Sequence, residues 1–206
     1  MDEITTPFRL NRSLQLMLLW LVAVWSITAI KPLYPIDWVL ENLLIYIYGA
    51  LLIATYRRFK FTNSSYGLIT IFFTLHMIGA HYTYAQTPIG FWMQEWFGFA
   101  RNHYDRVVHF SFGLLIAAPM REMLVQVVGV PSRWSRFMAV AMILSFSAFY
   151  ELLEMWTAIL VSPELGAAYL GTQGDVWDAQ QDIFLAFAGA IIAMILGALF
   201  TRAESA

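Results

Sequence analysis

A chain of 206 residues that is 60% hydrophobic and 13% charged, with a mean hydropathy of +0.63, lies outside the range of soluble globular domains and reads as a single integral membrane domain, residues 1–206, with the lipid bilayer as its partner. A formal net charge of −2 and no basic run give nucleic acid nothing to bind. The lack of cysteine excludes disulfides, thiolate nucleophiles and cysteine-ligated metals, so site chemistry falls to His, carboxylates, hydroxyls, Arg or Lys.

After a polar tail with Arg9 and Arg12, the apolar run 14–30 is long for a signal peptide and lacks a small-residue cleavage site, which predicts a retained first span. Lys31, Pro32 and Pro35 make a turn before the second span, 38–56, which Arg57, Arg58 and Lys60 close. The third, 67–84, carries His76 near its middle and His81 near its end. Five residues apart, these imidazoles point in different directions and need not share one ligand. Residues 86–100, rich in Trp and Phe and interrupted by Gly and Pro, suit a segment lying flat on the bilayer surface. The fourth span, 104–120, ends at Arg121 and Glu122, and 124–136 is expected to be a loop, basic at Arg133 and Arg136. The fifth, 137–160, contains Glu151 and Glu154. A loop with Pro163, Gly166 and Gly171 then leads to the last span, 176–199.

The expected fold is therefore all-α, a polytopic membrane helix bundle of about six spans with both termini on one side. Nine basic residues (Arg9, Arg12, Arg57, Arg58, Lys60, Arg121, Arg133, Arg136 and Arg202) flank the spans on that side, against Lys31, Arg101 and Arg106 on the other, which predicts cytoplasmic termini. In that orientation all four histidines, with Asp105, Glu151, Glu154, Asp175, Asp178 and Asp182, come out toward the external leaflet at overlapping depth. Intramembrane ionisable groups are costly and point to a site.

The densest stretch is RNHYDRVVHF, residues 101–110, where a polar loop becomes an apolar helix. Asp105 and His109 fall one turn apart on one face, with Arg106 beside them. Asp175, Asp178 and Asp182 share a face by their i, i+3, i+7 spacing, and Glu151 with Glu154 makes a second acidic face. Carboxylates held this close repel and raise one another's pKa unless a cation intervenes; the candidates are Arg101, Arg106, a protonated His or a divalent metal. With only N and O donors, the metal would be Zn, Mn or Fe. The catalytic candidates are His109, Asp105, Glu151 and Asp182. The substrate-binding candidates are Arg106, Arg101, Asn102, Glu154 and Asp178, and the candidate metal ligands are His76, His81, His109, Asp178 and Asp182. Each also has a structural reading. Asp105, Asp175 and Asp178 fit helix N-caps, His76 an interhelical hydrogen bond, His81 and His103 the interface, Arg106 a snorkelling cation, and Glu154 an ion pair with Arg101 or Arg106. Those readings fit His109, Glu151 and Asp182 least, because these lie too deep for capping.

RNHYDRVVHFSFG, ELLEMW and GTQGDVWDAQQDIFLAFAGAIIAMILG together resemble the YjdF-type bacterial inner-membrane proteins over most of the chain. Asp105, Arg106, His109 and Phe110 also look like the D-K-x-x-H-F signature of VanZ-like membrane proteins, and Glu151 or Glu154 and the segment 182–189 look like that group's later acidic and D-x-x-x-N-x-x-G elements. Arg106 replaces the Lys, and Ala186 stands where an Asn is expected. The resemblance implies a bacterial inner-membrane location and a link to envelope glycopeptide or lipid biology, without a reaction. Two functions fit the residues. In one, an enzyme acts on a lipid or lipid-linked envelope molecule at the outer leaflet: Asp105 orients His109, the general base or metal ligand, Glu151 or Asp182 completes the site, and Arg106 holds an anionic headgroup. In the other, the same groups serve a small transporter, a proton relay or an envelope-interaction protein. The chain carries no P-loop, HExxH or nucleophile elbow and no internal repeat; its oligomeric state is not legible in the sequence.

Overall fold

Asn11 opens the helical chain by accepting the Leu14 N–H on its side chain, after a short 3-10 turn over Phe8–Leu10. The computed structural model describes residues 7–203, which form α1 (Arg12–Thr28), α2 (Pro35–Thr55), α3 (Asn63–His81), α4 (Pro88–Phe97), α5 (Tyr104–Gln126), α6 (Ser132–Leu160), α7 (Pro163–Leu170) and α8 (Asp178–Ala203). No strand occurs among the described residues. The protein is thus an all-helical membrane bundle. By length and composition, four helices can cross a bilayer: α2, α5, α6 and residues Asp178–Leu199 of α8. The apolar α1 is shorter, at 17 residues.

A helix stands at each of the six predicted spans, but two segments read as loops are helical. α5 continues through Arg121 and Glu122, and α6 starts at Ser132, so the loop expected over 124–136 shrinks to 127–131. Glu122 does not end its helix because its carboxylate is used sideways: it accepts hydrogen bonds from the Thr62 N–H (2.8 Å), the Thr62 hydroxyl (3.0 Å) and the Ser65 hydroxyl, clamping α5 to the start of α3. Hydrogen bonds to a charged acceptor contribute about 1.5–3 kcal/mol each, partly redundantly here. Glu122→Ala is expected to lower stability by about 2–3 kcal/mol, read as thermal unfolding in detergent, with Glu122→Gln keeping part of it. The second segment is α7, whose Pro and Gly residues serve the helix instead of breaking it. Ser162 caps it, Pro163 occupies the first turn, Gly166 meets the Ala158 carbonyl where a Cβ would not fit, and Gly171 closes it at φ +57°.

α5 is the centre of the bundle, packed against α3, α6 and α8, while α1 and α2 lie on α3 and α7 lies on α6. The α5–α8 contact is backbone on backbone. A Cβ on Gly113 would run into the Ala186 carbonyl, and one on Gly189 into the Phe110 carbonyl. Ala117, Ala186 and Ala190 around them are completely buried. Small residues that admit another backbone are the usual means of holding helices together in lipid, where apolar area alone gives no preference for protein. α3 lies inside, with Ile69, Phe72, Phe73 and Met77 packed on Tyr84, Tyr104 and Val108. The starts of α2, α5 and α8 and the ends of α3 and α6 meet at one end of the bundle, and that end holds the titratable side chains.

Candidate functional site

The entrance to α5 is pinned before the helix begins. The Asn102 backbone is bracketed by the Gln173 side chain, which accepts from its N–H (3.0 Å) and donates to its carbonyl (2.8 Å). The Asn102 side chain accepts the Tyr104 N–H (3.0 Å) and donates to the Thr87 carbonyl (3.0 Å), in space left free because residue 90 is glycine. Asn102 is therefore buried and fully engaged, joining α4, α5 and the loop before α8.

Above the helix starts, two arginines meet two aspartates. Arg101 donates to Asp178 (2.5 Å) and to the Thr172 carbonyl (2.9 Å), while Arg106 donates to Asp175 (2.5 Å) and lies 3.5 Å from Asp178. The Trp177 N–H, together with Arg106 and Gln181, holds the Asp175 carboxyl below the usual carboxylate range. Arg106 also donates to His103 Nδ1 (3.1 Å). Burial and then the charges of Arg106 and Arg101 push His103 below its ordinary value, so it stands neutral as an acceptor. Both guanidinium groups thus have carboxylate partners, and Glu154 contacts Glu151 instead of either arginine.

One turn deeper the carboxylates have no such cations. His109 Nε2 lies 3.5 Å from Asp105 Oδ1 and 3.5 Å from Glu151 Oε1. Asp182, on α8, completes the group: Asp105, His109 and Asp182 each offer one ligand atom, all within 4.8 Å of one another. Glu151 Oε1 and Asp182 Oδ1 are buried and accept no hydrogen bond among the described residues. All four residues proposed as catalytic from the sequence are thereby brought together, from three helices.

Of the proposed metal ligands, His109 and Asp182 lie in this group and the others are occupied elsewhere. Asp178 serves the arginines. His81 Nδ1 is 2.8 Å from the Thr28 carbonyl, tying α3 to α1. His76 uses both nitrogens: Nε2 donates to the Glu41 carbonyl (3.1 Å), which leaves Nδ1 to accept the Tyr84 hydroxyl (2.5 Å). Tyr84 reaches it because Thr83 and Tyr84 both adopt left-handed backbone conformations, φ 52°, which fold the ring onto Gly79, where a Cβ would collide with it. Such strain, about 1–3 kcal/mol per residue, persists only where the surroundings hold it.

The sequence reading missed a second polar group beside the first. Asp37, Glu41 and Asn42 of α2 are buried, at 1%, 2% and 0% exposure. Tyr150 donates to Glu41 (2.8 Å), and its ring lies 6.2 Å from that of His109. Two carboxylates at i, i+4 in an otherwise apolar helix were the available signal.

The profile of the family described as "Predicted membrane protein (DUF2238)" matches residues 13–203. The chain belongs to the DUF2238 family. It is 39% identical over 202 residues to the inner membrane protein YjdF of Escherichia coli (strain K12), covering 97% of this chain and 94% of that one. No solved structure matches the chain.

In this DUF2238 protein α2 packs on α3, touches α7 and meets α6 at the Tyr150–Glu41 hydrogen bond, and a gap remains that is lined by α2, α3, α5 and α6. The gap is a cavity of about 540 Å³, within the roughly 300–1,000 Å³ range of small-ligand sites. Its polar end is lined by His76, Tyr84, Asp105, His109, Ser147 and Tyr150. From there it runs past Phe72, Phe112 and Ile116 to Phe61 and Met123. Asp105 and His109 are shared between the cavity and the carboxylate cluster.

Proposed function

We propose that this DUF2238 protein is an inner-membrane enzyme acting on a lipid or lipid-linked envelope molecule, whose apolar chain occupies the cavity and whose polar linkage is set against Asp105 and His109. The observation that carries this reading is the cavity's lining: aromatic and aliphatic along its length, with carboxylate, imidazole and phenol groups gathered at one end and Arg58 at the other. His109 is the acid–base group, 3.5 Å from Asp105 on its own helix and 3.5 Å from Glu151 across the interface with α6. Arg101 and Arg106, already paired, keep the loop before α8 and Asp178 in place at the mouth.

Two variants separate binding from chemistry. Ile116→Trp fills the cavity and is expected to remove lipid that co-purifies with the protein, read by mass spectrometry. His109→Ala is expected to retain that lipid and lose its conversion in reconstituted vesicles. Equal lipid in Ile116→Trp and wild type, or normal turnover in both His109→Ala and Asp182→Ala, rejects the reading. A second reading has one specific support: Tyr150 donates to the Glu41 carboxylate and its ring lies beside that of His109, so titratable side chains of α2, α5 and α6 are neighbours. A proton relay would make proteoliposomes leak protons in a way that Glu151→Gln abolishes.

A further inference from the structure

We propose that Asp105, His109 and Asp182, with Glu151 next to His109, form a binding site for one divalent transition-metal ion, of the Zn2+, Mn2+ or Fe2+ class. The spacing fits. Ligand atoms about 2.0–2.2 Å from a tetrahedral ion lie about 3.4 Å from one another, and His109 Nε2 stands 3.5 Å from a carboxylate oxygen of both Asp105 and Glu151. Those distances are long for charge-assisted hydrogen bonds, which close to about 2.7–2.9 Å. Asp182 brings a third carboxylate, its ligand atom within 4.8 Å of those of Asp105 and His109.

A second observation points to a missing cation. Asp182, 2% exposed, presents a buried Oδ1 without a hydrogen-bond partner, and Glu151 Oε1 is equally orphaned. Three carboxylates around one imidazole in a buried site are stable only when protonated or matched by positive charge, because an unpaired buried carboxylate is strongly destabilising, and a bound ion would supply that charge. The two nearby arginines do not supply it: their ion pairs are with Asp175 and Asp178. The donor set of one imidazole and two carboxylates, with a third carboxylate beside the imidazole, suits Zn2+, Mn2+ or Fe2+ better than Ca2+, which takes oxygen ligands alone. The ligands are also preorganised, since α5 and α8 are locked backbone to backbone below the site. With the ion bound, the Lewis acid would be the metal, and His109 would serve the lipid-site reading as a ligand instead of as the acid–base group. The inference rests on the same residues as that reading but is tested without it.

The test is metal binding by detergent-purified protein stripped with chelator and then given Zn2+ or Mn2+ alone. Wild type is expected to retain one ion per chain by elemental analysis and to unfold at higher temperature with metal. Bound Mn2+ should show a nitrogen coupling by electron paramagnetic resonance. Asp182→Asn and His109→Gln are expected to bind at least about tenfold more weakly, and His109→Gln to lose the nitrogen coupling, whereas His81→Gln behaves as wild type. No stoichiometric metal in the stripped and reloaded wild type, or undiminished metal in both cluster variants, overturns the site. Lipid content is measured on the same samples. A metal-free wild type that still carries lipid rejects this inference alone, and a metal-loaded protein without lipid rejects only the lipid reading.

Discussion

Gly189→Leu is expected to abolish assembly of the bundle, with loss of folded protein from the membrane and no thermal unfolding transition for what remains. Overpacking a core with extra methylenes costs about 1–3 kcal/mol where neighbouring side chains can give way. At Gly189 the obstruction is backbone: the carbonyl of Phe110 and the N–H of Leu114, which cannot move without breaking α5. Gly113→Leu should behave alike, because its Cβ would enter the Ala186 carbonyl. Gly49, in α2, is the control. Nothing lies within 4 Å of its missing Cβ, so Gly49→Ala should be neutral or stabilising by roughly 0.5–1 kcal/mol from helix propensity. Normal folding of Gly189→Leu would show that α5 and α8 do not approach as described.

Arg101→Met is expected to destabilise the protein by about 3–5 kcal/mol, the usual cost of leaving one member of a buried ion pair behind. The Arg101 and Asp178 side chains are 9% and 6% exposed and 2.5 Å apart, and the remaining cation, Arg106, is 3.5 Å from Asp178 and engaged with Asp175. The same change frees the Thr172 carbonyl, so the loop before α8 should loosen with it. In Arg101→Met/Asp178→Asn no charge is stranded, and most of the lost stability should return. Thermal unfolding of the single and double variants gives the coupling directly. A double variant as unstable as Arg101→Met would show that the loop contacts, and not the ion pair, carry the effect.

Much of the site was legible because helical spacing fixes which residues share a face. The i, i+4 interval placed Asp105 over His109, and the basic flanks put Glu151 and Asp182 at the same depth. Spacing within one helix says nothing about the rotation of its neighbours. For that reason the partners of Arg101 and Arg106 came out differently: Asp175 and Asp178 take them, and Glu154 does not. His76 and His81 were at the right depth, but their rings turn toward Glu41 and Thr28. Asp37 escaped notice because it sits in the first turn of α2, where a carboxylate looks like an ordinary cap, and Glu41, one turn deeper, was legible only through its i, i+4 spacing from Asp37. Pro163 and Gly171 are common at helix ends as well as in loops, so α7 was readable only from the Ser162 cap.

The glycine clasp between α5 and α8 also works as a ruler. Both helices start at the titratable end, so they run parallel. Asp105 stands eight residues before Gly113 and Asp182 seven before Gly189, about 12 and 10.5 Å along each axis at 1.5 Å per residue. Sliding one helix past the other by a single step would drive each carbonyl off its glycine and into a neighbouring side chain. The two aspartates therefore inherit a calibrated gap from a contact two turns away, and any change that alters the gauge below should be felt as lost alignment above.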